Sequence, residues 1–183
     1  MADVLNRSTK ELRRSQHAPA YDPAEWIVNP DLSAVAGVPQ SRWIIDGDSI
    51  RPPDAGETAA FDAADLAAAK EAKINAINAK TAALVTAGSE VASGKVISTS
   101  IAASQNLQDI AISISLGMSS PFPQRISTLD EGVYEIQDLA DFARIAALIK
   151  SQKKTIMEAG QDLRAQVLAA DSLAAVNAVE DNR

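Results

Sequence analysis

The residues able to do chemistry in this chain are sparse, and their spacing argues against catalysis. His17 is the one imidazole, in a proline-flanked stretch with no serine or cysteine at nucleophile spacing. It reads as a surface histidine rather than a base. Asp62 with Asp65, and Asp138 with Asp141, are carboxylates three apart that could act as an acid and a base. Both pairs fall on helical stretches without a neighbouring histidine, so a solvated helix face is expected. Asp46-Gly47-Asp48-Ser49 opens like a calcium loop, but Ile50, Arg51 and Pro52 follow where further oxygen ligands and a turn glycine are needed. Turn chemistry is the expectation there. Lys150, Lys153 and Lys154 make a basic patch in which solvation is favoured over phosphate binding. No glycine-rich loop cradles phosphate, and with no cysteine, thiol catalysis and cysteine-held metal are excluded. The reading is therefore a non-enzyme, with no catalytic, cofactor-binding or metal residue.

The elements that would position anything follow from composition. In 183 residues, 46% are hydrophobic but only 4% aromatic, so the chain can bury a core made mostly of small side chains. A net charge of -7 argues against nucleic acid as a partner, and the absence of a long apolar run argues against a membrane. Residues 1–54 hold six of the eight prolines and both tryptophans, which forbids a long helix. Met1–Ser15 reads as an extended or partly ordered arm, Asp22 to Trp26 as a short turn, and Asn29-Pro30-Asp31 as another turn. Two β-prone runs around Asp46-Gly47 predict a hairpin over 42–51 with a type I′ turn. Trp26 and Trp43 either pack on each other as a small core or anchor this segment to a partner. Both readings stand at this point.

From Asp54 to Ala87 the pattern is helical, with 14 alanines and a thin stripe through Ile74, Ile77 and Leu84, closed by Gly88. Gly94–Thr99 contains a short strand, 100–116 a helix, and Gly117–Pro123 a loop. Ile126–Thr128 and Val133–Ile136 form a second small hairpin. Gln137 to Ala170 is a long helix in which Phe142, Ile149, Ile156 and Leu163 recur every seven residues, with Ile145 at a companion position. Gly160 would mark a kink in that seam. Asp171-Ser172 caps a last short helix over Leu173–Glu180.

The fold class expected is mainly α with small β-hairpins, an α+β chain. An extended arm and hairpin precede long helices that form a helical hairpin or a coiled-coil bundle. The division expected is a proline- and tryptophan-rich docking module over 1–54 and a mostly helical domain over 55–183. Helices this poor in apolar mass must pair within the chain or around a two- or three-fold axis, so a homo-oligomer, dimer or trimer, is expected.

Two stretches carry a resemblance. Tyr21-Asp22-Pro23-Ala24-Glu25-Trp26, Asn29-Pro30-Asp31, Gly37-Val38-Pro39 and Arg42-Trp43-Ile44-Ile45-Asp46-Gly47-Asp48 together resemble a short N-terminal module of tailed-bacteriophage structural proteins. Residues 66–180 are similar to an uncharacterised alanine-rich helical domain found in phage tail-fibre and baseplate gene regions. The resemblance implies a virion structural protein made in the bacterial host cytoplasm: a tail-fibre, baseplate or adaptor component whose partners are other phage structural proteins. A capsid decoration protein and a non-virion tail-fibre assembly chaperone are the alternatives. Tyr21, Trp26, Trp43, Ile44 and Ile45 are the expected docking residues. No catalytic residue carries over from either module.

Overall fold

The computed structural model describes residues 2–15, 21–99, 101–117 and 122–183. The chain is α+β with small antiparallel sheets, as its periodicities require, and divides into two compact units, Met1–Ala67 and Ala68–Arg183. The expected boundary at 54/55 is where the first long helix starts, whereas the two units meet inside that helix.

In the first unit the arm is not extended but folded. Strands β1 (Ala2–Asn6) and β2 (Leu12–Ser15) pair antiparallel, and β3 (Trp26–Val28) adds to the other edge of β1, giving the order β2-β1-β3. The connecting loop has no glycine. Asn6 Oδ1 accepts from the Ser8 and Thr9 N–H groups, and Lys10 takes the left-handed conformation at φ 57°. Side-chain mimicry of a backbone turn thus does the work usually signalled by Gly. The Asp22 turn forms as expected, its carbonyl accepting from Glu25 and Trp26.

The second hairpin, β4 (Ile44–Asp46) and β5 (Ser49–Arg51), lies where it was expected. Its turn type is corrected. Asp46 pairs with Ser49, so the two loop residues are Gly47 and Asp48, and only Gly47 has positive φ, at 60°. That is the pattern of a type II′ turn, which needs Gly at the first central position alone. The unit's core is Leu5, Ile27, Val35, Trp43 and Ile50, with Leu32, Val38 and Ile45 packed against it.

Helix α1 (Ala55–Ala87) opens with a reciprocal cap that the alanine pattern hid. The Glu57 N–H donates to Asp54 Oδ1 at 2.8 Å, and the Asp54 N–H donates to Glu57 Oε2 at 2.9 Å. Arg51 grips the same carboxylate with both guanidinium nitrogens, at 2.6 and 2.8 Å. Arg51 and then the Asp54 N–H lower the Glu57 carboxyl to about 2 from its ordinary 4.5. A carboxyl depressed on folding stabilises the folded state fully above about pH 4.5 and loses that contribution as pH falls toward 2. Thermal unfolding followed by circular dichroism should therefore shift to lower temperature below pH 4.5 in the wild type. The shift should be smaller in Glu57→Gln, which has no proton to gain there. Equal acid sensitivity in both would disprove this role.

The second unit begins within α1. Beyond Gly88 come β6 (Ser89–Ala92) and β7 (Lys95–Ile97), then α2 (Ile101–Ser115), β8 (Gln124–Ser127), β9 (Val133–Ile136), α3 (Leu139–Ala169) and α4 (Leu173–Ala178). Strand β6 was not legible, since Ser-Glu-Val-Ala sits against the end of a helix and carries one strong β-former. The expected β7, β8 and β9 are present, as is the 100–116 helix. Most of the Gly117–Pro123 loop lies outside the described residues, as does His17. Asp138 caps α3 by accepting from the Asp141 N–H at 2.8 Å, and Ser172 caps α4 by accepting from Ala175 at 3.2 Å.

The long helices pair within the chain. Lys70 Nζ donates to the Leu168 carbonyl at 2.8 Å, Arg164 to Asn78 Oδ1 at 2.7 Å, and Gln152 to the Gly88 carbonyl at 3.1 Å. Numbers fall on one helix as they rise on the other, so the C-terminal half of α1 and the second half of α3 run antiparallel. The seven-residue seam is corrected accordingly. Phe142, Ile145 and Ile149 are buried with Val91, Ile97, Leu107, Ile126 and Ile136 in the core of this unit. Further along, the fully covered positions are Gly160 and Val167, while Ile156 and Leu163 are half-buried. Ile77 is buried on α1, and Ile74 and Leu84 are half-buried. A straight helix drifts about 20° per heptad, so the buried stripe leaves the sevens and follows 3.6.

Gly160 sits at a close approach between elements. A Cβ there would stand 2.7 Å from Thr81 Oγ1 and 2.9 Å from Arg183 Nη1. Arg183 also donates to the Ile156 carbonyl at 3.1 Å and pairs with Asp181 at 2.6 Å. That guanidinium holds the Asp181 carboxyl well below its ordinary range. No described helix is long and apolar enough to cross a membrane.

Candidate functional site

The carboxylate pairs that could have been catalytic are engaged in holding the fold. Arg42 binds Asp62 at 2.8 Å and Asp65 at 2.5 Å. Asp138 caps α3, and Asp48 is ion-paired with Arg7. Asp141 joins a polar cluster with Tyr134 and Arg144. The Tyr134 hydroxyl donates to the Asp141 carboxylate, 3.0 Å from each oxygen, and accepts from Arg144 at 3.0 Å. Arg144 also reaches Asp141 at 2.8 Å and the Val91 carbonyl at 2.9 Å, tying α3 to both hairpins. Burial, followed by the Asp141 hydrogen bond, raises the Tyr134 phenol. For Asp141, burial pulls upward, but the bonds from Arg144 and Tyr134 together keep the carboxyl below its usual range. Charge and hydrogen bonds are satisfied inside this cluster, so it is a brace between elements. Among the described residues no group of three or more His, Asp or Glu side chains could hold a metal ion.

The surface of the first unit is different. Tyr21 and Trp26 are half-buried, with ring centroids 5.2 Å apart at 52°, and the Arg13 guanidinium lies 5.3 Å over the Trp26 ring. Arg13 is steadied by two bonds to Glu11, both 2.8 Å. A tilted aromatic pair with a stacked cation presents an amphipathic surface. Beside it Trp26, Pro23, Asn29, Pro30, Arg7 and Asp48 help to line a cavity of about 360 Å³.

The expected docking residues thus separate. Trp43 is corrected: it is only 8% exposed, and its indole N–H donates to the Val38 carbonyl at 2.8 Å inside the unit's own core. The two tryptophans do not pack on each other. Ile45 packs against that core, while Ile44, Tyr21 and Trp26 remain half-buried near the surface. The sequence reading missed Arg13 as the cation over Trp26. Only the β2–β1–β3 pairing brings those residues together, and the arm had been read as extended.

By its architecture the second unit is an antiparallel pair of long helices carrying small hairpins. The chain belongs to the family described as Domain of unknown function (DUF4376), whose model matches residues 68–181. That match begins at the residue where the second compact unit begins. No curated protein and no solved structure matches the chain.

Proposed function

We propose that this chain is a structural component of a tailed-bacteriophage virion, a tail-fibre, baseplate or adaptor protein. It docks on other phage structural proteins through its first unit and has no catalytic role. The observation that carries this reading is the Tyr21–Trp26–Arg13 cluster, which sits at the surface of a unit already furnished with its own core. Tryptophan, tyrosine and arginine are the residue types enriched among interface hot spots, each of which is worth about 2 kcal/mol or more. The order of Tyr21, Pro23, Trp26, the Asn29-Pro30-Asp31 turn and the Gly47-Asp48 hairpin supports a phage module as its source. The second unit then supplies a spacer braced within its own chain.

Mass spectrometry of density-gradient-purified particles from a lysate of the host carrying this sequence tests the reading. The chain is expected in the particle fraction at a fixed ratio to tail proteins. Recovery only from the soluble fraction would instead favour an assembly chaperone. Digestion of cell wall by the purified chain would overturn the non-enzyme reading.

A further inference from the structure

We propose that two copies of this chain pair about a two-fold axis through α2, the ridge formed by Asp109, Ile112 and Leu116 of one copy entering the groove between α2 and α3 of the other. This deepens the reading of the chain as an assembly component and rests on it.

The groove is a cavity of about 580 Å³ whose floor is Leu107, Ala111, Phe142, Ala146 and Ile149, with Lys150 and Lys153 on its rim. In a chain of net charge -7, these two lysines make no ion pair among the described residues. Ser104 and Gln108 complete the lining, so the cavity is mostly apolar with two cationic side chains, a complement to an apolar ridge flanked by a carboxylate.

Helix α2 presents such a ridge. Leu107, Ile110 and Ile114 turn into the core of the second unit. Ile112, and Leu116 one residue past the helix end with its N–H still donating to the Ile112 carbonyl at 2.9 Å, lie about 140° and 180° round the axis from Leu107 at 100° per residue. They are 54% and 70% exposed, the latter the most exposed large apolar side chain described. Asp109 stands three residues before Ile112 and seven before Leu116, on the same outer arc, and likewise makes no ion pair among the described residues. Ridge and groove are adjacent sides of one helix. A two-fold axis directed between them carries each copy's ridge over the other's groove, as a closed isologous contact requires. Asp109 then faces the lysines of the second copy, so the carboxylate and the ammonium groups left over in one chain answer each other in two.

The contact is about one helix wide, so an affinity in the micromolar range is expected. Light scattering on the purified full chain should show a mass near 19.2 kDa when dilute, rising toward twice that value as concentration passes through that range. Ile112→Asp should leave a monomer at every concentration with an unchanged circular dichroism spectrum. Lys150→Glu with Lys153→Glu should weaken the dimer at least about tenfold, one close charge contact being worth that much. Adding Asp109→Lys to that pair should restore the dimer. A wild-type chain that stays monomeric, a trimer, or a dimer indifferent to Ile112→Asp would overturn the proposal. Particle association is read separately by mass spectrometry of virions, so either result can fail without the other.

Discussion

Gly88→Ala should cost about 2–4 kcal/mol of stability, the sum of a left-handed backbone conformation and a steric conflict. Gly88 follows the last residue of α1 with φ at 84°, where an L side chain is strained. A Cβ would stand 2.4 Å from the Ile97 carbonyl oxygen and 3.0 Å from its carbon, and these are backbone atoms that move only if β7 moves. The Gly88 carbonyl also accepts from Gln152 of α3, so the residue is a joint between helix end, hairpin and second helix. Chemical denaturation followed by circular dichroism should show a lower midpoint with an unchanged slope. A midpoint within about 0.5 kcal/mol of wild type, the scatter of ordinary surface substitutions, would mean that β7 yields freely.

Ile145→Ala should have an effect of similar size, about 2–5 kcal/mol, because the side chain is fully buried and its removal leaves a cavity. Ile145 shares one cluster with residues of β6, β7, α2, β8 and β9, so collapse around the void would require these five elements to shift together. Leu148→Ala, three residues on but 38% exposed, should cost much less and serves as the comparison. If the two variants unfold at the same denaturant concentration, the stripe assigned to α3 is misplaced.

How much was legible beforehand depended on whether the signal was local. The long helices, the stop of α1 at Gly88, the Ser172 cap of the short α4, and strands β4, β5, β7, β8 and β9 were readable from alanine runs, turn glycines and β-branched clusters. The β1–β2 hairpin was not, because its left-handed position is filled by Lys10 and its turn is built by the Asn6 side chain. The seven-residue recurrence located α3 but exaggerated Ile156 and Leu163, which are half-buried, whereas Gly160 and Val167 are buried. Trp43 was expected among the docking residues. Folding the arm into a sheet brought Leu5 and Ile27 beneath the indole and supplied a core. Arg13 over Trp26, Arg183 on Thr81 and Gln152 on Gly88 join residues that no local pattern relates.

The docking claim is tested most directly by incorporation. Particles assembled in the presence of equal amounts of wild-type chain and Trp26→Ala, distinguished by mass, should carry the wild type and exclude the variant by about tenfold or more, as the loss of one aromatic anchor implies. The variant should keep the wild-type melting temperature within a few degrees, since the Trp26 ring lies outside the core cluster of its unit. Equal incorporation of the two chains, or absence of both from the particles, would contradict the account.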